Sequence, residues 1–183
     1  MTEAQETPLQ LQLDAEAATL ALGAALARSL PRAAPEALVV YLQGDLGSGK
    51  TTLARALLHA LGVSGTVRSP SYTLVESYEL AGLLVLHLDL YRLREPGELE
   101  QLALRDQLRA GVLLLVEWPE RAPELLPAAD LNIELVISTA EGATPQLSRT
   151  ASLRAASPAG RLWLAELEAR HPENRSELNR LVL

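Results

Sequence analysis

Apolar residues recur along this chain with two periods, and the alternation between them predicts a mixed fold. From Asp14 to Leu30, DAEAATLALGAALARSL repeats Leu and Ala at helical spacing, with Asp14 as the expected N-cap. PRAAPE breaks that helix, and ALVVYLQ (37–43) follows as a short buried strand. A glycine-rich stretch comes next. From Lys50, KTTLARALLHALG reads as an amphipathic helix ending at Gly62. VSGTVRSPSYTLVESYEL mixes turn residues with strand-like pieces, and Pro70 interrupts any regular element there. GLLVLHLDLYRL (82–93) reads as a strand, GELEQLALRDQLRAG (97–111) as a helix, and VLLLVEW (112–118) as a second buried strand stopped by Pro119. DLNIELVIST and QLSRTASLRA alternate with period two and predict half-exposed, antiparallel strands. The last segment, AGRLWLAELEARHPENRSELNRLVL, starts helical and ends polar. The predicted fold is α/β: a three-layer architecture with a mostly parallel central sheet and an antiparallel extension. One domain over residues 1–158 is expected, followed by a helical or partly disordered extension over 159–183.

Composition narrows the chemistry. The chain has 183 residues, no Phe, one Met and no Cys. Its core must be aliphatic, and disulfides and thiolate metal sites are excluded. Net charge is −7, with no basic residue before Arg28. A nucleic-acid binder is expected to carry a basic stripe, and this chain lacks one. The first ten residues, MTEAQETPLQ, have neither a basic nor an apolar region of the kind a signal peptide needs. No apolar run approaches the ~18 residues of a membrane span. A cytoplasmic protein without membrane partners is therefore expected.

The glycine-rich stretch is GDLGSGKTT, Gly44 to Thr52, and it matches G-x-x-x-x-G-K-[ST]. Gly44, Gly47 and Gly49 allow backbone conformations that turn successive N–H groups of Asp45, Leu46, Ser48 and their neighbours around a polyanion. The helix that follows adds its unsatisfied N–H groups and the positive end of its dipole. Lys50 is suited to reach β- and γ-phosphates, and Thr51 to offer its hydroxyl to Mg²⁺. Lys50 is also the one lysine of the chain, against fifteen arginines. A compact ammonium fits inside a closed phosphate loop where a planar guanidinium does not.

A carboxylate near the metal is expected where an apolar strand ends. Glu117, closing VLLLVE, has that shape, and its alternative is a strand-end acid facing solvent. Asp89 lies in LLVLHLDLYR, where His87, Asp89 and Tyr91 are expected to share one strand face. Asp89 is read as a second acid or as a structural hydrogen-bond acceptor, and His87 as structural. VRSPSYTLVESY (67–78) occupies the place of a nucleotide-sensing switch, with hydroxyls on Ser69, Ser71 and Thr73, or else is a plain loop.

GDLGSGKTT, VRSPSYTLVESY, HLDLYRL and LVEWPE, in that order and at close spacing, resemble the TsaE family, also called YjeE. The resemblance runs from about Glu16 to about Arg149. It implies an ATPase required for threonylcarbamoyladenosine formation in tRNA, with an ATP–Mg²⁺ site built from Gly44 through Thr52. It implies that Lys50 holds the phosphates, that Thr51 and Glu117 ligate the metal, and that Asp89 reaches it directly or through water. Ser69, Ser71 and Thr73 are implied as a switch sensing the γ-phosphate. Trp118 is implied in coupling hydrolysis to partners, its alternative being a core aromatic. Glu16 and Arg149 align loosely with nucleotide-contacting positions. The implied partners are TsaB and TsaD, which carry out the transfer to adenosine and hold the tRNA; this chain would reset their complex by hydrolysis without forming the new bond. Two other classes compete. A small-molecule or nucleotide kinase would close an arginine lid drawn from Arg92, Arg94, Arg105 or Arg109. A nucleotide-gated binding module would hydrolyse too slowly to count as an enzyme.

Overall fold

The computed structural model describes residues 7–31, 34–139 and 147–170. The elements are β1 (Leu9–Leu13), α1 (Glu16–Arg28), β2 (Leu38–Gln43), α2 (Lys50–Leu61), β3 (Val75–Leu80), β4 (Leu83–Asp89), α3 (Pro96–Glu100), α4 (Leu104–Gln107), β5 (Val112–Glu117), a 3₁₀ turn (Pro119–Arg121), β6 (Leu131–Thr139), β7 (Leu147–Ala155) and α5 (Pro158–Ala169). Among the described residues the strands form one seven-stranded sheet in the order β1-β7-β6-β2-β5-β4-β3. The four central strands β6, β2, β5 and β4 run parallel to one another, and β3, β7 and β1 add antiparallel pairings at the flanks.

Burial explains why the centre is parallel. All six residues of β5, VLLLVE, are buried. Strands covered on both faces read as continuous apolar runs. On one face, Leu113 and Leu115 join a core that takes Leu22, Leu26, Leu53 and Leu57 from α1 and α2 and Trp163 from α5. On the other, Val112, Leu114 and Val116 pack with Leu86 and Leu88 of β4 and with Leu99 and Leu104 of α3 and α4. The three-layer α/β fold with a mostly parallel centre and antiparallel extension is as the sequence predicts. The α1–α2 crossing is close: a Cβ on Gly23 would lie 2.6 Å from Ala56 Cβ and 2.7 Å from Leu53 O.

Several local expectations are corrected. LQLQL at 9–13, given no element from the sequence, is an edge strand whose Leu9, Leu11 and Leu13 are buried. The helix expected over 97–111 is two short pieces, broken at Ala103 in the left-handed region with φ 45°. Leu99 and Leu104 are both buried, and five helical residues would turn them roughly 140° apart; the break brings both onto the sheet. Asp14 is not the N-cap of α1; Ala15 is, with no side-chain cap bond. The two late strands pair antiparallel with each other, but β6 runs parallel to β2. Ser157 caps α5 by accepting from Gly160 N, and Trp163 is fully buried, its Nε1 donating to Leu26 O. Residues 1–6 and 171–183 lie outside the described residues. Among the described residues no helix is long and apolar enough to cross a membrane.

Candidate active site

Strands β2, β4 and β5 end at one edge of the sheet, and their pairing register sets the site. Leu42 pairs with Glu117, and Asp89 pairs with Glu117, so Gly44 and the two acids stand side by side. This is the carboxyl edge of a parallel sheet, where such folds bind ligands. The loop from Gly44 to Gly49 connects β2 to α2, with Gly44, Gly47 and Gly49 at φ of 130°, 81° and 107°. Any side chain would be strained at those angles. At Gly44 a Cβ would also meet Leu135 O at 2.1 Å.

Lys50, the first residue of α2, turns back into the loop and is only 4% exposed. Its Nζ donates to Gly44 O at 2.6 Å and to Asp45 O at 2.8 Å, and lies 3.9 Å from the centre of the Trp118 ring. Burial pushes the ammonium below the usual lysine range, while Glu117, Glu120, Asp89 and Asp45 pull it back. Thr51 Oγ1 donates to Glu117 Oε2 at 2.7 Å. The other oxygen, Oε1, accepts from His87 Nε2 at 2.9 Å. Asp89 accepts from Ser69 Oγ and, at 3.0 Å, from the Tyr91 backbone N–H. That second bond turns the chain after β4, so Tyr91 does not continue the strand face shared by His87 and Asp89; its ring instead stacks 5.0 Å from that of Trp118.

These groups line a cleft of about 520 Å³ that includes Leu46, Gly47, Gly49, Lys50, Thr51, Thr52, Ser69, Ser71, Asp89, Tyr91, Arg92, Glu117 and Trp118. Trp118 is half-buried in the cleft wall, with left-handed φ of 60°. Ser48 is fully buried beneath the loop, with its N–H on Asp45 O. Asp45 is exposed, with its carbonyl on Lys50. Arg149, on β7, stands behind the loop: its Nε would be 3.5 Å from a Cβ on Gly49, and that buried atom has no hydrogen-bond partner among the described residues. Thr19 Oγ1, in the same place, is also buried with no partner among the described residues. Glu16 and Thr73 are exposed and do not line the cleft. Of the four lid arginines only Arg92 reaches it, with its guanidinium 4.3 Å from the Tyr72 ring centre. Arg105 lines a separate hollow with Leu99 and Leu125.

The residues suit a magnesium nucleotide. Among the described residues Arg149 Nε and Thr19 Oγ1 beside the loop have no hydrogen-bond partner, and Lys50 rests on loop carbonyls, so donors suited to an anion gather at the loop. Among the described residues no cluster of three or more His, Cys, Asp or Glu side chains could hold a metal by itself. Mg²⁺ is ordinarily held by one or two carboxylates together with substrate phosphates. His87, which the sequence places as a structural residue on the same strand face as Asp89, hydrogen-bonds to Glu117 on the neighbouring strand.

A glycine loop between a buried parallel strand and a helix, with acids on the neighbouring strand ends, defines a protein of P-loop NTPase-like fold. The crystal structure of Bacillus subtilis YdiB superposes with a TM-score of 0.65 at 26% identity, covering 93% of this chain and 99% of that one. The family model described as threonylcarbamoyl adenosine biosynthesis protein TsaE matches residues 13–145, and the chain belongs to the TsaE family. A relative from Haemophilus influenzae, a tRNA threonylcarbamoyladenosine biosynthesis protein TsaE, is 46% identical over 115 residues, 57% of this chain and 73% of its own. Proteins of the same description from Synechocystis and Bacillus subtilis are 39% and 37% identical, covering 64% and 59% of their own lengths.

Proposed function

We propose that this protein is a cytoplasmic, Mg²⁺-dependent ATPase of tRNA threonylcarbamoyladenosine biosynthesis, acting with TsaB and TsaD. Hydrolysis resets their complex, and the modified base is formed by the partners. The observation that carries this reading is the juxtaposition of Lys50 inside the glycine loop with the Thr51–Glu117 hydrogen bond at the carboxyl edge of the sheet. Lys50 leaves the Gly44 and Asp45 carbonyls for the β- and γ-phosphates, and the loop N–H groups with the start of α2 close around them. Arg149 and Thr19 stand beside Gly49, and Arg149, although outside the cleft lining, would offer a further donor near the nucleotide. Thr51, Glu117 and Asp89 would hold the metal, which when bound would neutralise charge on the phosphates. Asp89 also ties the Ser69 hydroxyl, so a change at Asp89 reaches the 67–74 segment directly. Trp118 covers the face of Lys50 and keeps water from it.

The acidic chain leaves tRNA to its partners. The test is ATP hydrolysis by the chain alone, with TsaB–TsaD, and with a panel of acceptor metabolites. Weak hydrolysis stimulated by the protein pair is the expected result. Phosphoryl transfer to a metabolite would mean a kinase, with Arg92 its one cleft-lining candidate for a lid.

A further inference from the structure

We propose that His87 is a positioning residue for Glu117, fixing which carboxylate oxygen faces the metal; this deepens the ATPase reading and rests on it. His87 is fully buried on β4, two residues before Asp89 and on the same face. It pairs in register with Leu115 while Asp89 pairs with Glu117, so its ring reaches diagonally across to the Glu117 carboxylate. The Nε2–H donates to Oε1 at 2.9 Å, and Thr51 donates to Oε2 at 2.7 Å. One donor on each oxygen holds the carboxylate plane, which a glutamate with three side-chain torsions does not do by itself. Thr51 and Glu117 line the cleft and His87 does not. The histidine therefore acts through Glu117 and touches no nucleotide.

The ring has no other polar work. Its Nδ1 is buried and has no hydrogen-bond partner among the described residues. The neighbouring core positions are filled by Leu and Val. An aliphatic residue would fill the same space without leaving a buried polar atom unpaired. The bond to Glu117 is what the imidazole adds there. Partners that orient a metal ligand typically change metal affinity or activity by about 10- to 100-fold when removed.

The test compares His87→Met, which keeps bulk without a donor, with His87→Gln, which keeps an N–H donor at similar reach. Mn²⁺ affinity is measured by electron paramagnetic resonance with saturating ADP, alongside ADP affinity in EDTA and kcat and KM for ATP. H87M is expected to weaken Mn²⁺ about tenfold or more and to lower kcat, with KM and metal-free ADP affinity little changed. H87Q is expected to recover most of the Mn²⁺ affinity. Equal Mn²⁺ affinity in the wild type and H87M overturns the proposal, as does a loss of metal-free ADP affinity as large as the loss for Mn²⁺. Wild-type protein that takes no Mn²⁺ with ADP overturns the ATPase reading itself. Should H87M fail to fold, nitrogen-15 spectra of the wild-type imidazole decide. A proton on Nε2 supports the bond to Glu117, and the neutral tautomer protonated on Nδ1 overturns it.

Discussion

Lys50 shows how little room a single position can leave. Its Nζ sits between two loop carbonyls and beneath the Trp118 ring, at 2.6, 2.8 and 3.9 Å. A guanidinium is planar and wider, so it retains the charge but not the fit. Lys50→Arg is expected to lower ATP turnover by roughly a hundredfold or more while the chain stays folded, measured as kcat beside a circular-dichroism melt. Tyr41 makes a different prediction. Burial pushes its hydroxyl up from 10.0 to about 12, and the hydroxyl donates to Pro127 O. With the folded pKa above the unfolded one, this contribution to stability is complete below pH 10 and is lost as pH rises through about 12. Tyr41→Phe is expected to flatten the fall in stability across that window relative to wild type, read from urea midpoints at successive pH values. At this scale the sequence was legible wherever one residue type can do one job: Gly44, Gly49, Lys50 and Thr51 stand where their motif puts them. The partner of His87 was not legible, because a lone histidine in an apolar strand says nothing of what lies on the next strand.

Elements succeed here by meeting closely. Gly23 is a modest residue in an alanine-rich helix, yet its missing Cβ lets α1 lie on α2 at Ala56 and Leu53. Gly23→Ala gains helix propensity but must move two helices apart. The expected outcome is a loss of about 1–3 kcal/mol of stability, measured by denaturant unfolding, with weaker nucleotide binding because α2 carries the loop. The long helices and the buried strands were readable because periodicity extends over many residues. The 97–111 segment reads as one helix because its leucines look periodic locally, whereas the sheet needs Leu99 and Leu104 on one side. LQLQL carries no decisive signal of its own, because an edge strand of five residues acquires meaning only from its pairing with β7.

For the whole molecule, the last described helix belongs to the core. Trp163 and Leu167 are fully buried, and the indole N–H reaches back to Leu26 O on α1. Trp163→Ala is expected to cost about 3–5 kcal/mol, checked by thermal and urea unfolding. The face of β6 and β7 away from α1 and α5 remains half-covered, with Glu134, Val136 and Arg154 exposed, in keeping with the period-two pattern of those strands.

By itself the sequence determined the glycine loop, the central strands, the aliphatic core and the family, because each of these is written in contiguous residues whose spacing repeats or matches a motif. Tertiary structure alone decided how the strand ends line up. Glu117, His87, Thr51, Asp89 and Ser69 come from four separated segments, and only the register of β4 on β5 and the seat of α2 bring them within hydrogen-bond reach. The same holds for Arg149, which β7 carries behind Gly49 from a hundred residues away along the chain. Hydrogen bonds act over a few ångströms, whereas sequence patterns report only which face a residue takes on its own element.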